Sequence, residues 1–192
     1  LSEAHLFFCS GQTCGSGMGL SEATNFVEHI GVADELCLPY EPINMDCSLK
    51  AENWKARVVT ADSTLVRTAM HIKEALIEYG PLTICIYVYD DMYDYNGGIY
   101  RRSTDEIVGG HLVALMGYND TTQSWLVKNS WGSQWGDDGW FHMGYDPEMF
   151  IDGCYGGDTG IIYVDGVYGN YKPEVPKITI QQPTIFHSYL FN

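Results

Sequence analysis

Positive charge is scarce in this chain: 10 Lys and Arg stand against 25 Asp and Glu, a formal net charge of −15. So acidic a protein does not hold nucleic acid or anionic lipid by charge attraction, while neutral or cationic peptides approach it readily. No apolar run reaches the roughly 18 residues of a membrane-spanning helix, so no membrane partner is expected. The cysteines, at positions 9, 14, 37, 47, 85 and 154, are not spaced as C-x₂-C pairs. No histidine stands at a matching distance either, which leaves no metal site and no cofactor to expect. An initiating Met and a signal peptide are also missing, so Leu1 reads as the start of a fragment, of a processed chain or of a recombinant one.

What is present is enough for a core: 45% of 192 residues are hydrophobic, sufficient for one substantial domain or two small ones sharing an interface. Fourteen Tyr and five Trp bring aromatics to 14%, which fits strands and aromatic-lined grooves better than a helical bundle. Six cysteines without zinc spacing read as a disulfide framework, and that places the protein in an extracellular or other exported compartment.

In chain order, Ser2 caps a short predicted helix ending near Cys9, and Cys14-Gly15-Ser16-Gly17-Met18-Gly19 is a loop whose backbone something can approach closely. Leu20, Ala23, Phe26, Val27 and Ile30 have helical spacing, closed by Gly31. Lys50 to Val66 has a mixed pattern with a short strand at Arg57–Thr60. A helix follows over Thr68–Tyr79, with Ala69, Ile72, Leu76 and Ile77 as its apolar stripe and Gly80-Pro81 as its stop. Strands are predicted at Leu82–Tyr89, Phe141–Tyr145 and Ile161–Val164, with Tyr95–Tyr100 a tight turn into a strand. Beyond Val167 a proline-spaced segment holds one strand candidate, Ile178–Ile180. It reads equally as the entrance to a further β domain or as a C-terminal tail.

The densest signal lies between Trp125 and Trp140, where four tryptophans and three glycines share sixteen residues. Trp125-Leu126-Val127 reads as a buried strand running into a glycine-punctuated turn, and a second strand starts from Gly139. Upstream, Gly109-Gly110 reads as a turn feeding an apolar strand with His111 at its entrance. If these strands pair, the Asn129 amide oxygen can accept from one imidazole nitrogen of His111 and so fix the tautomer and direction of the ring. Trp131 could then cover that hydrogen bond and keep water from competing for it.

These residues, Gly110-His111 with its strand to Gly117-Tyr118 and Lys128-Asn129-Ser130-Trp131-Gly132 followed by Trp135-Gly136 and Gly139-Trp140, resemble the papain and cathepsin family of cysteine proteases. A secreted bacterial or archaeal type is expected. Leu1-Ser2-Glu3, Cys9, Cys14-Gly15-Ser16-Gly17, the helix, Pro39-Tyr40 and Cys47 follow in the family's order, with Ser16 where a glycine is usual. The resemblance implies an α+β, papain-like two-lobe fold: residues 1–65 as a partial helical lobe, 66–166 as an antiparallel, barrel-like β-rich lobe, and 167–192 as a linker or the start of a further β domain.

It also implies a Cys9–Cys47 bridge and a partner for Cys14 before Leu1. Ser16 and Gly17 would lend backbone groups to an extended peptide or protein substrate, or else simply make a turn. Cys85 would line the pocket for the substrate side chain two residues before the cleaved bond, or else be a buried core cysteine. Trp135 would help form the groove, and Gly110 removes a side chain from the site. The other histidines, His5 among them, read as surface or packing residues.

The resemblance assigns His111 as general base and acid and Asn129 as its orienter, in a Cys-His-Asn mechanism of peptide hydrolysis. The nucleophile is not in this stretch. Counting back from His111 by the family's spacing puts it about 20 to 40 residues before Leu1, and no Gln…Cys-[Trp/Tyr] pattern occurs within the chain. Three explanations stand: truncation of a longer active protease, a heavy chain whose light chain carries the Cys, or a pseudoenzyme. The alternative function is therefore a non-catalytic peptide-binding module. The chain alone is expected to be inactive, and poorly stable because a missing central helix uncovers apolar surface.

Overall fold

A computed structural model describes residues 1–65, 69–151 and 161–169. The strand candidate Ile178–Ile180, Cys154, the predicted helix start at Thr68 and most of the 167–192 segment lie outside the described residues. The chain divides into two compact units. Among the described residues the first comprises Leu1–Thr64 and 164–169, and the second Leu65–Tyr163.

In the first unit, helix α1 (Glu3–Cys9) is started by Ser2, whose Oγ accepts the His5 backbone N–H at 2.9 Å and donates to Leu38 O at 2.6 Å. A capping side chain of this kind satisfies a helix-end donor that the helix cannot. Ala4, Phe8 and Leu38 form the buried cluster here, with Phe7, Cys9 and Met45 against it. Cys9 is bridged to Cys47, with Cα atoms 5.0 Å apart. Helix α2 (Leu20–His29) buries Leu20 and Phe26 and gives way to Gly31 at φ +83°. A Cβ there would lie 2.9 Å from Thr60 Cγ2, so glycine lets the chain enter strand β1 (Val32–Ala33) against β2 (Val58–Leu65). The two strands are antiparallel, Val32 opposite Val59, and Arg57 clasps Asp34 beside them through two hydrogen bonds.

Strand β2 is longer than the predicted Arg57–Thr60. Ala61-Asp62-Ser63-Thr64 carries no alternation to announce it, and tertiary partners supply the reason: Glu28 Oε1 accepts from both the amide and the hydroxyl of Ser63. His5, read from sequence as a surface or packing residue, is a packing one. It is buried, meets the rings of Phe26 and Trp54, and accepts the Ala33 N–H on Nδ1. Burial first and the Lys50 charge second hold its pKa below the ordinary value.

In the second unit, helix α3 (Ala69–Tyr79) turns Ile72, Ala75 and Leu76 to the core, whereas Ile77, expected in that stripe, is 69% exposed. The reason is angular: at 100° per residue, position 77 falls about 140° round the helix from position 72. Strands β3 (Leu82–Tyr89), β4 (Ile99–Tyr100), β5 (Ile107–Asn119), β6 (Ser124–Lys128) and β7 (Trp140–Gly144) follow, and then β8 (Ile161–Tyr168), of which residues 161–163 belong to this unit and 164–168 to the first. Their order in the sheet is β8-β3-β5-β6-β7-β4, antiparallel except for the parallel β4–β7 edge.

Strand β5 begins earlier than predicted. Gly109 and Gly110 make no turn but stay in the ladder opposite Val88 and Tyr87, so His111, opposite Ile86, lies inside the strand and not at its entrance. The two glycines had suggested a break, yet neither takes a positive φ here. Buried apolar residues from α3, β3, β5, β6 and β7, Phe141 and Met143 among them, form a single cluster. An α+β architecture results, with a mostly antiparallel sheet and few helices.

Candidate active site

Two adjacent strands bring the candidate pair together. β5 and β6 run antiparallel with Ala114 opposite Lys128, so Asn129, the next residue, comes level with the part of β5 that carries His111. Past Lys128 the backbone stays tied to the return strand, the Asn129 N–H donating to Gly139 O at 2.9 Å. The loop between is tight enough to need glycine: at Gly136 (φ +62°) a Cβ would lie 2.5 Å from Trp140 O.

Within this frame, His111 Nε2 lies 2.8 Å from Asn129 Oδ1. The Ser130 backbone N–H, which can only donate, faces the same atom at 2.8 Å. That atom is therefore the amide oxygen, and a nitrogen facing an acceptor must carry the hydrogen. In its neutral form His111 is thus held as the Nε2–H tautomer, with the lone pair on Nδ1. Asn129 is only 8% exposed, and its buried Nδ2 has no hydrogen-bond partner among the described residues.

Trp131 stacks on the imidazole, centroids 5.1 Å apart and planes 22° from parallel. Trp135 meets Trp131 edge-on at 5.0 Å and anchors itself by donating Nε1–H to Met92 O at 3.1 Å. Trp135 thus supports Trp131 from the side. Sequence reading missed Tyr93, whose ring stacks on Trp131. Gly110 has a packing reason, since a Cβ would meet Ile151 Cδ1 at 3.1 Å.

The remaining candidates lie elsewhere. Ser16 and Gly17 sit in an exposed loop of the first unit, where the Ser16 amide donates to Thr13 O at 2.9 Å and its hydroxyl reaches Gln12 Oε1 at 2.8 Å. Cys85, on β3, is 1% exposed and disulfide-bonded, so it is not a free core thiol. Cys14 and Cys37, both in the first unit, are the unbridged cysteines among the described residues, Cys14 exposed and Cys37 buried. Among the described residues no cluster of His, Cys, Asp and Glu could hold a metal ion, and no helix is long and apolar enough to cross a membrane.

Residues 1–157 match the family profile described as "Papain family cysteine protease". Among characterised proteins, the chain is 30% identical over 139 residues to "Cathepsin B-like CP2" of Giardia intestinalis, covering 67% of this chain and 46% of that protein. It is 31% identical over 159 residues to "Pro-cathepsin H" of Medicago truncatula, covering 78% and 45%. The chain thus spans about half the length of these relatives, and neither bears on a bacterial or archaeal type. Among solved structures it resembles "proCathepsin B S9 from Trypanosoma congolense", TM-score 0.66 at 23% identity, over 86% of this chain and 61% of that one. A second is the Carica candamarcensis cysteine protease CMS1MS2 in complex with E-64, TM-score 0.65 at 24% identity, over 85% and 76%. At these identities the structural likeness concerns the fold.

Proposed function

The chain belongs to the papain family of cysteine proteases, and on that footing we propose that it is the histidine and asparagine portion of an exported endopeptidase whose nucleophilic cysteine precedes Leu1. The observation that carries this reading is the His111 Nε2 to Asn129 Oδ1 hydrogen bond of 2.8 Å, with Ser130 N–H fixing which amide atom accepts it.

His111 Nδ1 takes the thiol proton, giving a thiolate and imidazolium pair. The thiolate attacks the scissile carbonyl, and as the C–N bond breaks the imidazolium gives its proton to the leaving amine, leaving a thioester. Water, deprotonated by the same Nδ1, then hydrolyses the thioester and regenerates the thiol. Asn129 keeps the ring in line throughout, and Trp131 keeps water from its hydrogen bond. Gln and Cys of the preceding segment supply oxyanion donors by family resemblance. Ser16 and Gly17 offer backbone groups to an extended peptide, and Cys85 aligns with a position lining the pocket for the side chain two residues before the cleaved bond.

A segment outside the chain is also supported by Ile107 and Val108, 50% and 52% exposed on the strand just ahead of His111, an apolar stretch suited to burial by another element. By itself the 192-residue chain is inactive. The test is labelling of the complete protein by a thiol-reactive peptide epoxide. We expect modification of a cysteine upstream of Leu1, slowed about 10³-fold or more by His111→Ala. Unchanged labelling in that variant overturns the mechanism, and Ser or Gly at the upstream position makes the chain part of a peptide-binding pseudoenzyme.

A further inference from the structure

The imidazole of His111 does not meet a single shielding ring but the end of a stack. Tyr93 lies on the face of Trp131 with centroids 5.1 Å apart and planes 18° from parallel. Trp131 lies in turn on His111 at 5.1 Å and 22°. Both spacings are in the range where aromatic rings attract face to face with offset. Tyr93 belongs to the short 3₁₀ turn Asp90–Asp94 that follows β3, and the residue before it, Met92, is fully buried and accepts the Trp135 indole N–H. One turn therefore holds Trp135, which abuts Trp131 edge-on, and supplies the ring that lies on Trp131. Tyr93 itself is 54% exposed.

We propose that Tyr93 is a positioning residue for His111, acting through Trp131. It clamps the indole in the plane that covers the His111–Asn129 hydrogen bond. Without that clamp the indole has Trp135 against its edge but no restraint against lifting from the imidazole. Water then reaches Nε2–H, and the selection of the Nε2–H tautomer weakens because a solvated ring no longer depends on Asn129 as its partner. The aromatic plane carries the effect, and the phenolic hydroxyl has no part in it.

This inference rests on the reading of His111 and Asn129 as base and orienter, and an experiment on the imidazole itself keeps the two separate. Long-range ¹H–¹⁵N correlation spectra of the uniformly labelled complete protein, with its upstream cysteine replaced by Ser, report the tautomer and the exchange of the ring N–H, with the His111 signals assigned by their loss in His111→Gln. With Tyr93 in place we expect the Nε2–H tautomer and a slowly exchanging Nε2–H. Tyr93→Ala accelerates that exchange by about tenfold or more and mixes the tautomers. Tyr93→Leu does nearly the same, and Tyr93→Phe leaves both signals as they were. All three variants retain the backbone amide protection of β5 and β6, because Tyr93 is half out in solvent and its loss opens no core cavity. Slow exchange and a single tautomer in both Tyr93→Ala and Tyr93→Leu overturn the clamp while leaving the His111–Asn129 assignment intact. An Nδ1–H tautomer with Tyr93 in place overturns that assignment itself. Loss of strand protection in Tyr93→Ala, with Tyr93→Leu folded and its ring exchange slow, assigns Tyr93 to structure and rejects the clamp.

Discussion

In the second unit 17 buried side chains make one cluster among the described residues, while the corresponding cluster of the first holds three, Ala4, Phe8 and Leu38. The first unit makes up the difference with directional ties: the Cys9–Cys47 bridge, the Ser2 bonds to His5 and Leu38, and the Asp34–Arg57 pair. Such ties fix a few points firmly and leave loops such as Thr13–Gly17 exposed between them. A packed core fixes every residue that touches it, because shifting one side chain disturbs its neighbours. The His111 and Asn129 hydrogen bond, which needs its two atoms held to within a few tenths of an ångström, is built on the packed unit.

If the comparison is right, damage should stay where it is made, as native-state hydrogen exchange of α1 against β5–β7 amides can read. The largest effect is expected from Phe141→Ala, fully buried on β7, which should cost about 3–5 kcal/mol of protection in β5–β7. Equal losses in α1 would break the distinction between the units. Next comes Cys9→Ser with Cys47→Ser. Freeing a loop of sequence separation 38 removes about 3–4 kcal/mol by the chain-entropy argument, now from α1 and β1 and not from the sheet. A loss confined to β5–β7 would invert the assignment.

Smaller is Lys73→Met, which keeps the aliphatic stem of α3 but withdraws the ammonium from the rings of Tyr145 (4.7 Å), Tyr118 (4.9 Å) and Trp125 (5.9 Å) and from Asp120. Since the pair is partly solvated, the effect is smaller and is seen as a lower denaturant midpoint for the second unit only. The smallest effect is a pH slope. The folded pKa of His5 lies below its ordinary 6.5, so the unfolded chain binds the proton more readily. The stabilisation from a neutral His5 is complete above that value and is lost as pH falls from about 6.5 towards the folded pKa. Denaturation midpoints of the first unit at pH 7.5 and 5.5 should therefore differ, and His5→Gln should flatten the difference. A slope unchanged in His5→Gln would assign it to other groups. Asp34, whose carboxyl the Arg57 guanidinium holds below the usual range, acts only at more acidic pH.

Local pattern carried much of this protein. A cap and an apolar run marked α1, helical spacing marked α2 and α3, apolar runs bounded by glycine marked β3, β6 and β7, and His111, Asn129, Trp131 and Trp135 were singled out by their family resemblance and lie in contact in the fold. What local pattern could not carry depended on partners distant in sequence. Gly109-Gly110 looked like a turn, and only pairing with Tyr87 and Val88 keeps it in strand β5. His5 looked unremarkable, and only Phe26, Ala33 and Trp54 closing round it make it a buried neutral ring. Tyr93 was one of 14 tyrosines until the turn after β3 laid it on Trp131. Sequence determined which groups the chemistry has available, since identity and spacing are written residue by residue. Tertiary structure decided which nitrogen of His111 holds its proton, because that depends on a carboxamide oxygen and a backbone N–H that meet only when β5 and β6 lie side by side.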